Sequence, residues 1–278
     1  MQAQRRALLP VIMTFEPHPA AVLAAAAPSL LMTLEHKVDL LLRIAPELRV
    51  IVQPFDKDFA RIEAEQFVQR ILLETLKARF VLVGSNFHFG RARRGTPELL
   101  GTLAADWHFE AEAFALSGDQ AGIYSSSRVR AELAAGNLRA VTQVLGRPYA
   151  LTGIVVAGDG RGRELQFPTA NLEQIAEALP PTGVYACIVD EITEEHGGKR
   201  IGWGVMSLGP RPTVNRGATT EVHVLDFSGD LYGRRLRIHM IQRLRDIEKF
   251  ADLPSLRAQI EKDVVAARAL LGAMSSSP

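Results

Sequence analysis

Apolar positions along this chain follow two different rhythms. Up to about residue 145, short apolar runs alternate with segments of helical period. Val11 to Thr14 reads as a strand, and Leu34 to Ile44 as a helix with Leu34, Val38, Leu41 and Leu42 on one face. Arg49 to Gln53 reads as a strand, Ala64 to Leu76 as a helix, and Phe80 to Val83 as a strand ended by Gly84. Strands alternating with helices of this length imply a parallel sheet, because parallel neighbours need a connection long enough to return along the sheet. Ser125 to Ser127 open another helical segment, since serine hydroxyls accept from the free N–H groups of a first turn. It runs with an interruption to Val144 and Leu145, where Gly146 and Pro148 stop it. A domain boundary is placed there, giving a first domain over 1–146 and a second over 147–278.

After Tyr149 the texture changes. Ile154 to Val156, Val184 to Val189, Gly202 to Ser207, Glu221 to Phe227 and Arg235 to Ile241 are short and rich in β-branched residues, and Gly, Pro, Asp and Asn turns separate most of them. That pattern is all-β, a barrel or a sandwich. A last helix follows Asp252, with Pro254 in its first turn and Leu256, Ile260, Val264, Ala267 and Leu271 as its apolar stripe. The polar tail Ser275 to Pro278 is read as disordered.

Bulk properties narrow the function classes. A length of 278 residues suits two domains, each able to bury its own core. A formal net charge of +1 gives no global electrostatic case for nucleic acid or an anionic membrane. Cys187 is the single cysteine, which excludes an internal disulfide framework and a cysteine-rich zinc site and fits a reducing cytoplasm. No apolar run reaches the ~18 residues of a spanning helix. Leu8 to Met13 is too short for a signal-peptide core and leads straight into Thr14-Phe15-Glu16, so it reads as a buried strand.

Two stretches carry chemistry. In the first, Gly158-Asp159-Gly160-Arg161-Gly162-Arg163 precedes Phe167-Pro168-Thr169-Ala170-Asn171-Leu172. Glycines let backbone N–H groups approach phosphate oxygens, and Arg161 and Arg163 add charge. Thr169 and Asn171 lie two apart and share a side if extended. Their hydroxyl and amide oxygens are hard donors, suited to a Mg²⁺ ion already held by phosphates. The glycines alone read better as a β-turn with solvated arginines; the Pro-Thr-Ala-Asn run shifts that balance. In the second stretch, Glu221 to Phe227 is followed by Gly229-Asp230-Leu231-Tyr232-Gly233. Alternation puts Glu221 and His223 on one face of a strand. Glu221 could accept the proton of an attacking hydroxyl, or simply face solvent. His223 reads as a satisfied strand histidine, and Asp230 and Gly233 as turn residues.

Together these residues resemble the riboflavin kinase family. The shared elements run in order: Arg147-Pro148-Tyr149, the glycine segment, Phe167 to Leu172, Gly183-Val184-Tyr185, Gly209 to Thr213, Glu221 to Gly233, and Arg243-Leu244-Arg245 with Lys249-Phe250. The resemblance covers residues 147 to 271 and implies a six-stranded Greek-key barrel with a C-terminal helix. It implies ATP-dependent phosphorylation of riboflavin to FMN. Thr169 would be a metal ligand beside the ATP phosphates and Asn171 its neighbour. Gly158, Gly160, Arg161 and Gly162 would form the phosphate loop, and Glu221 the base for the riboflavin 5′-hydroxyl. Gln166 departs from the pattern, standing where the family usually has Gly; Ser207 stands where Asn is common.

The first half resembles the FMN adenylyltransferase domain of bacterial bifunctional FAD synthetases. Thr14 to Pro19, Pro54-Phe55, Phe59-Ala60, Val83 to Gly90 and Ser125 to Arg130 carry that likeness. It implies an α/β nucleotidyltransferase fold in which Asn86 touches nucleotide, while Ser125, Ser126 and Arg130 meet ATP phosphates. A serine-rich helix start can bind an anion or serve as a plain cap. His18, between prolines, reads as a turn residue. The family opens with a strand and a His-x-Gly-His loop that this sequence does not contain. The domain is therefore expected to have an incomplete first strand, to expose apolar surface around Val11 to Met13 and to be impaired in FAD formation. A natural truncation and a start codon assigned too late both give that pattern. The expected partners are riboflavin, FMN, ATP and Mg²⁺, with no nucleic acid and no membrane; oligomeric state is not readable. The rival readings are a complete bifunctional enzyme and a non-catalytic flavin-binding protein.

Overall fold

The structure, a computed structural model, describes residues 2–24, 27–158, 162, 166–193, 198–210 and 218–275. The tail read as disordered lies outside them beyond Ser275. The chain forms two compact units, one of residues 1–28 and 40–124, the other of residues 29–39 and 125–278.

In the first unit, α1 (Gln2–Arg5) leads to β1 (Val11–Glu16) and α2 (Pro19–Leu23). His18 caps α2, its Nδ1 accepting from Ala20 N–H at 3.2 Å. Helix α3 (Leu34–Ile44) begins in the second unit and ends in the first, ahead of β2 (Arg49–Pro54). Its fully buried residues are His36 and Asp39, not the leucine face read from the sequence. The next helix, α4, is α-helical over Ala64–Gln66 and π-helical over Phe67–Thr75. It is followed by β3 (Phe80–Gly84), α5 (Pro97–Trp107), β4 (Glu110–Phe114) and a two-residue hairpin, β5 (Gly118–Asp119) and β6 (Gly122–Ile123).

The parallel pairings expected from the alternating pattern are present, but as two separate pairs. β1 runs parallel to β2, and β3 parallel to β4. Between the pairs lies a cleft of about 520 Å³ lined by Val11, Ile12 and Met13 on one side and Val81, Leu82 and Val83 on the other. Val11, Ile12 and Leu82 are 42%, 37% and 46% exposed, so the Leu8–Met13 run forms its strand without being buried. A two-stranded pair leaves backbone groups unpaired along both edges, which makes such pairs marginal by themselves. Packing instead comes from Phe67, Val68, Phe89 and Leu100, joined to a run of phenylalanine rings from Phe15 through Phe55 and Phe59.

In the second unit, Ser125 Oγ accepts from Arg128 N–H at 3.2 Å and starts α6 (Ser126–Ala134). Asn137 likewise caps α7 (Leu138–Leu145), which Gly146 ends at φ +67°. Six antiparallel strands follow: β7 (Tyr149–Val156), β8 (Ala170–Glu173), β9 (Gly183–Ile192), β10 (Lys199–Pro210), β11 (Ala218–Val224) and β12 (Arg235–Arg245). They close in the order β10-β11-β8-β7-β12-β9, the six-stranded barrel the resemblance implied. Tyr185, Cys187, Met206, Val222, Leu236, Ile238 and Met240 fill its interior with no exposed surface. Burial pushes the Cys187 thiol well above its usual range, so this lone cysteine is a core residue and not a nucleophile. The C-terminal helix α8 (Leu253–Ser275) lays Ala267 and Leu271 on Val184, Ala186 and Val205, on the outer face of the barrel.

Candidate functional site

β8 is only four residues long, yet it brings the chemistry-bearing residues together. In its register with β11, Asn171 stands opposite Glu221 and Ala170 opposite Val222. Across β11, Glu221 is also paired with Ser207 of β10. Directly opposed residues of antiparallel strands share a face. With Val222 and Ala170 buried inward, Asn171, Glu221 and Ser207 therefore form a row on the barrel's outer face.

The glycines close on this row. A Cβ at Gly158 would collide with the side-chain amide of Asn171, and one at Gly162 would lie 2.5 Å from Phe167 O and 3.0 Å from Thr169 Oγ1. Only glycine lets the backbone come this close to the two oxygen donors. Phe167 N–H in turn donates to Gly162 O at 2.8 Å. Gly160, Arg161 and Arg163 lie outside the described residues.

His223 holds the segment from below. Its Nδ1–H donates to Pro168 O at 2.8 Å, and the Phe167 ring packs edge-on against it at 5.3 Å. Beside Thr169 opens a cleft of about 90 Å³ walled by Val155, Phe227, Leu231 and Tyr232. Asp230 shapes its rim by accepting from Tyr232 N–H at 2.9 Å, and Gly233 turns the chain at φ +73°. Asp226, also left-handed at φ +58°, is gripped by both terminal nitrogens of Arg268 at 2.7 and 2.8 Å. That pairing holds its carboxyl below the usual range. Arg245 forks onto buried Asp263 at 2.8 to 3.1 Å. Arg257 Nη2 donates to Gln166 Oε1 at 2.8 Å. Helix α8 is thus tied by arginine pairs to the ends of β11 and β12 and to the residue before Phe167. Sequence reading missed these ties because 18 to 91 positions separate the partners.

In the first unit, Asn86 is exposed on the turn after β3, its carbonyl accepting from His88 Nδ1–H at 2.9 Å. Ser125, Ser126 and Arg130 belong to the other unit, where Arg130 Nε donates to Ser29 O at 3.0 Å.

A riboflavin kinase family model matches residues 145–271, and an FAD synthetase family model residues 1–128. The bifunctional riboflavin kinase/FMN adenylyltransferase of Escherichia coli (strain K12) is 34% identical over 273 residues, 98% of this chain and 85% of that protein. Its counterpart in Pseudomonas fluorescens is 39% identical over 226 residues, 80% of this chain and 70% of that one. In Bacillus subtilis (strain 168) the figures are 31% over 270 residues, 94% and 82%. Among solved structures, the crystal structure of a macrolide-efflux protein from Streptococcus pneumoniae superposes with a TM-score of 0.82 at 27% identity, covering 96% of this chain and 86% of that one. The efflux name is that protein's; among the described residues here, no helix is long and apolar enough to cross a membrane. Both halves are matched in order and the relatives run through nearly the whole length, so the chain belongs to the family of bifunctional riboflavin kinase/FMN adenylyltransferases.

Proposed function

We propose that the second domain, residues 147–278, transfers the γ-phosphoryl group of ATP to the 5′-hydroxyl of riboflavin, giving FMN and ADP. The observation that carries this reading is the register of Glu221 opposite Asn171, with Gly158 and Gly162 packed onto Asn171 and Thr169. The attacking hydroxyl loses its proton to Glu221 as its oxygen bonds to phosphorus and the bond from phosphorus to the β–γ bridging oxygen breaks. The glycine backbone cradles the phosphates, beside the cleft bordered by Val155, Phe227, Leu231 and Tyr232. Thr169 Oγ1 and the Asn171 amide oxygen are the groups that would hold a divalent ion shared with the phosphates. The described residues offer no cluster of three or more His, Cys, Asp or Glu side chains for a dedicated cage. Such an ion neutralises charge on the phosphoryl group in flight.

The deciding experiment is steady-state FMN formation by Glu221→Gln at saturating riboflavin and Mg-ATP. Turnover should fall by ~10²-fold or more, the scale of a positioned base, with riboflavin binding retained. Turnover near wild type removes Glu221 from the mechanism. For residues 1–146 we propose adenylyl transfer from ATP to FMN, with Asn86 as the nucleotide-binding candidate on the first unit and Ser125, Ser126 and Arg130 as candidates on the second.

A further inference from the structure

Gln166 adopts a backbone conformation that few side chains accept. Its φ is +66°, in the left-handed region that glycine enters freely and a residue with a Cβ enters at some strain. It is also exposed, so no burial of its side chain offsets that strain. What holds it is a hydrogen bond to a charge: Arg257 Nη2 on α8 donates to Gln166 Oε1 at 2.8 Å. Arg257 is itself oriented by Glu261, one helical turn on, with Nε to Oε1 at 3.2 Å. Immediately downstream, Phe167 N–H is bonded to Gly162, the Phe167 ring rests on His223, and Pro168 O accepts from His223. The two residues before Thr169 are thus anchored to β11, and the residue before those is anchored to α8.

We propose that Gln166 and Arg257 are positioning residues for the kinase reaction, a latch by which helix α8 fixes the Phe167-Pro168-Thr169 segment in its ATP-binding geometry. The inference rests on Thr169 facing the ATP phosphates. A segment fixed before the nucleotide arrives loses less conformational freedom on binding, so the latch acts on ATP affinity. Neither residue touches a reacting atom, so turnover at saturation is left alone.

The latch is tested with four variants. Arg257→Ala removes the donor. Gln166→Gly removes the acceptor and the strain together. Gln166→Glu keeps an oxygen facing the guanidinium. Gln166→Gly/Arg257→Ala combines both losses. KM for ATP, and the Kd of Mg-ATP measured by calorimetry, should rise roughly 3- to 10-fold in Arg257→Ala and Gln166→Gly, the scale of one hydrogen bond to a charged group at a partly exposed site. kcat and the riboflavin KM should stay near wild type. The double variant should be no worse than the poorer single, because the two side chains act as one unit. Gln166→Glu should bind ATP at least as well as wild type. Circular dichroism controls for folding. An unchanged ATP affinity in both single variants overturns the latch, and so does a Gln166→Glu variant as weak as Gln166→Gly. A wild-type chain that binds Mg-ATP but forms no FMN overturns the proposed reaction, while calorimetry still decides the latch. No binding of Mg-ATP at all overturns both.

Discussion

Asp39 and Arg237 meet at 2.9 Å with side chains only 7% and 3% exposed. Asp39 lies on α3 and Arg237 on β12, so the pair fastens the 29–39 segment to the barrel wall. A buried ion pair is a poor source of net stability, but removing one partner leaves the other charge stranded. Arg237 has little to fall back on, since its Nε is already buried without a partner. Asp39→Ala should therefore destabilise the second unit by ~3–5 kcal/mol, whereas replacing both residues with leucine and methionine should be close to neutral. Calorimetric unfolding of the two variants reads the difference. Equal losses would mean that the pair acts only through volume.

Glu177 sets a pH dependence of its own. It is 4% exposed, and both carboxylate oxygens are buried. Burial raises its pKa, against smaller lowering contributions from nearby backbone groups and Thr152. The folded protein then holds that proton more tightly than the unfolded chain. The stability linked to it is full below the ordinary carboxylate range and is lost as pH rises through the raised value. Glu177→Gln keeps the shape and removes the ionisable group, so it should be more stable than wild type at alkaline pH. It should also flatten the loss of stability as pH rises above the ordinary carboxylate range. Thermal midpoints across that rise check it, and parallel pH curves for the two proteins would count against Glu177.

Thr169 gives the metal prediction. A Cβ at Gly162 would press on its hydroxyl, so the backbone stands close to that oxygen without room for a side chain between. Thr169→Val keeps the shape and removes the donor. The magnesium concentration for half-maximal FMN formation should rise, and activity should fall, with an unchanged circular dichroism spectrum. A superimposable magnesium titration would make Thr169 a packing residue.

The residues of this site were more legible than the framework that supports them. Alternation put Thr169 with Asn171 and Glu221 with His223 on shared faces, the resemblance supplied their proposed roles, and the pairing of Asn171 with Glu221 came only from the register of β8 with β11. The β8 strand itself escaped the apolar pattern, being four residues with Asn171 and Glu173 outward. β4 escaped it too, since between Glu110 and Glu112 only the small Ala111 packs on the core. Helix α3 misled for a different reason: its leucines promised the core, but the Asp39–Arg237 pair, 198 positions apart, turned His36 and Asp39 inward. Periodicity cannot report a partner that distant. Gln166 left a mark in the sequence as a non-glycine in a glycine position, and its partner on α8 became visible only in the fold.

The first unit yields the last prediction. Its two parallel pairs each leave edges unpaired beside an apolar cleft of about 520 Å³. In the barrel, by contrast, every strand has two neighbours. Amides of β1 to β4 should therefore exchange with solvent faster than those of β9 and β12, because opening a two-stranded pair breaks fewer hydrogen bonds than opening a closed barrel. Hydrogen exchange by mass spectrometry reads both sets of strands in one preparation. Equal protection of β1 and β9 would mean that the separated pairs are as firmly held as the barrel.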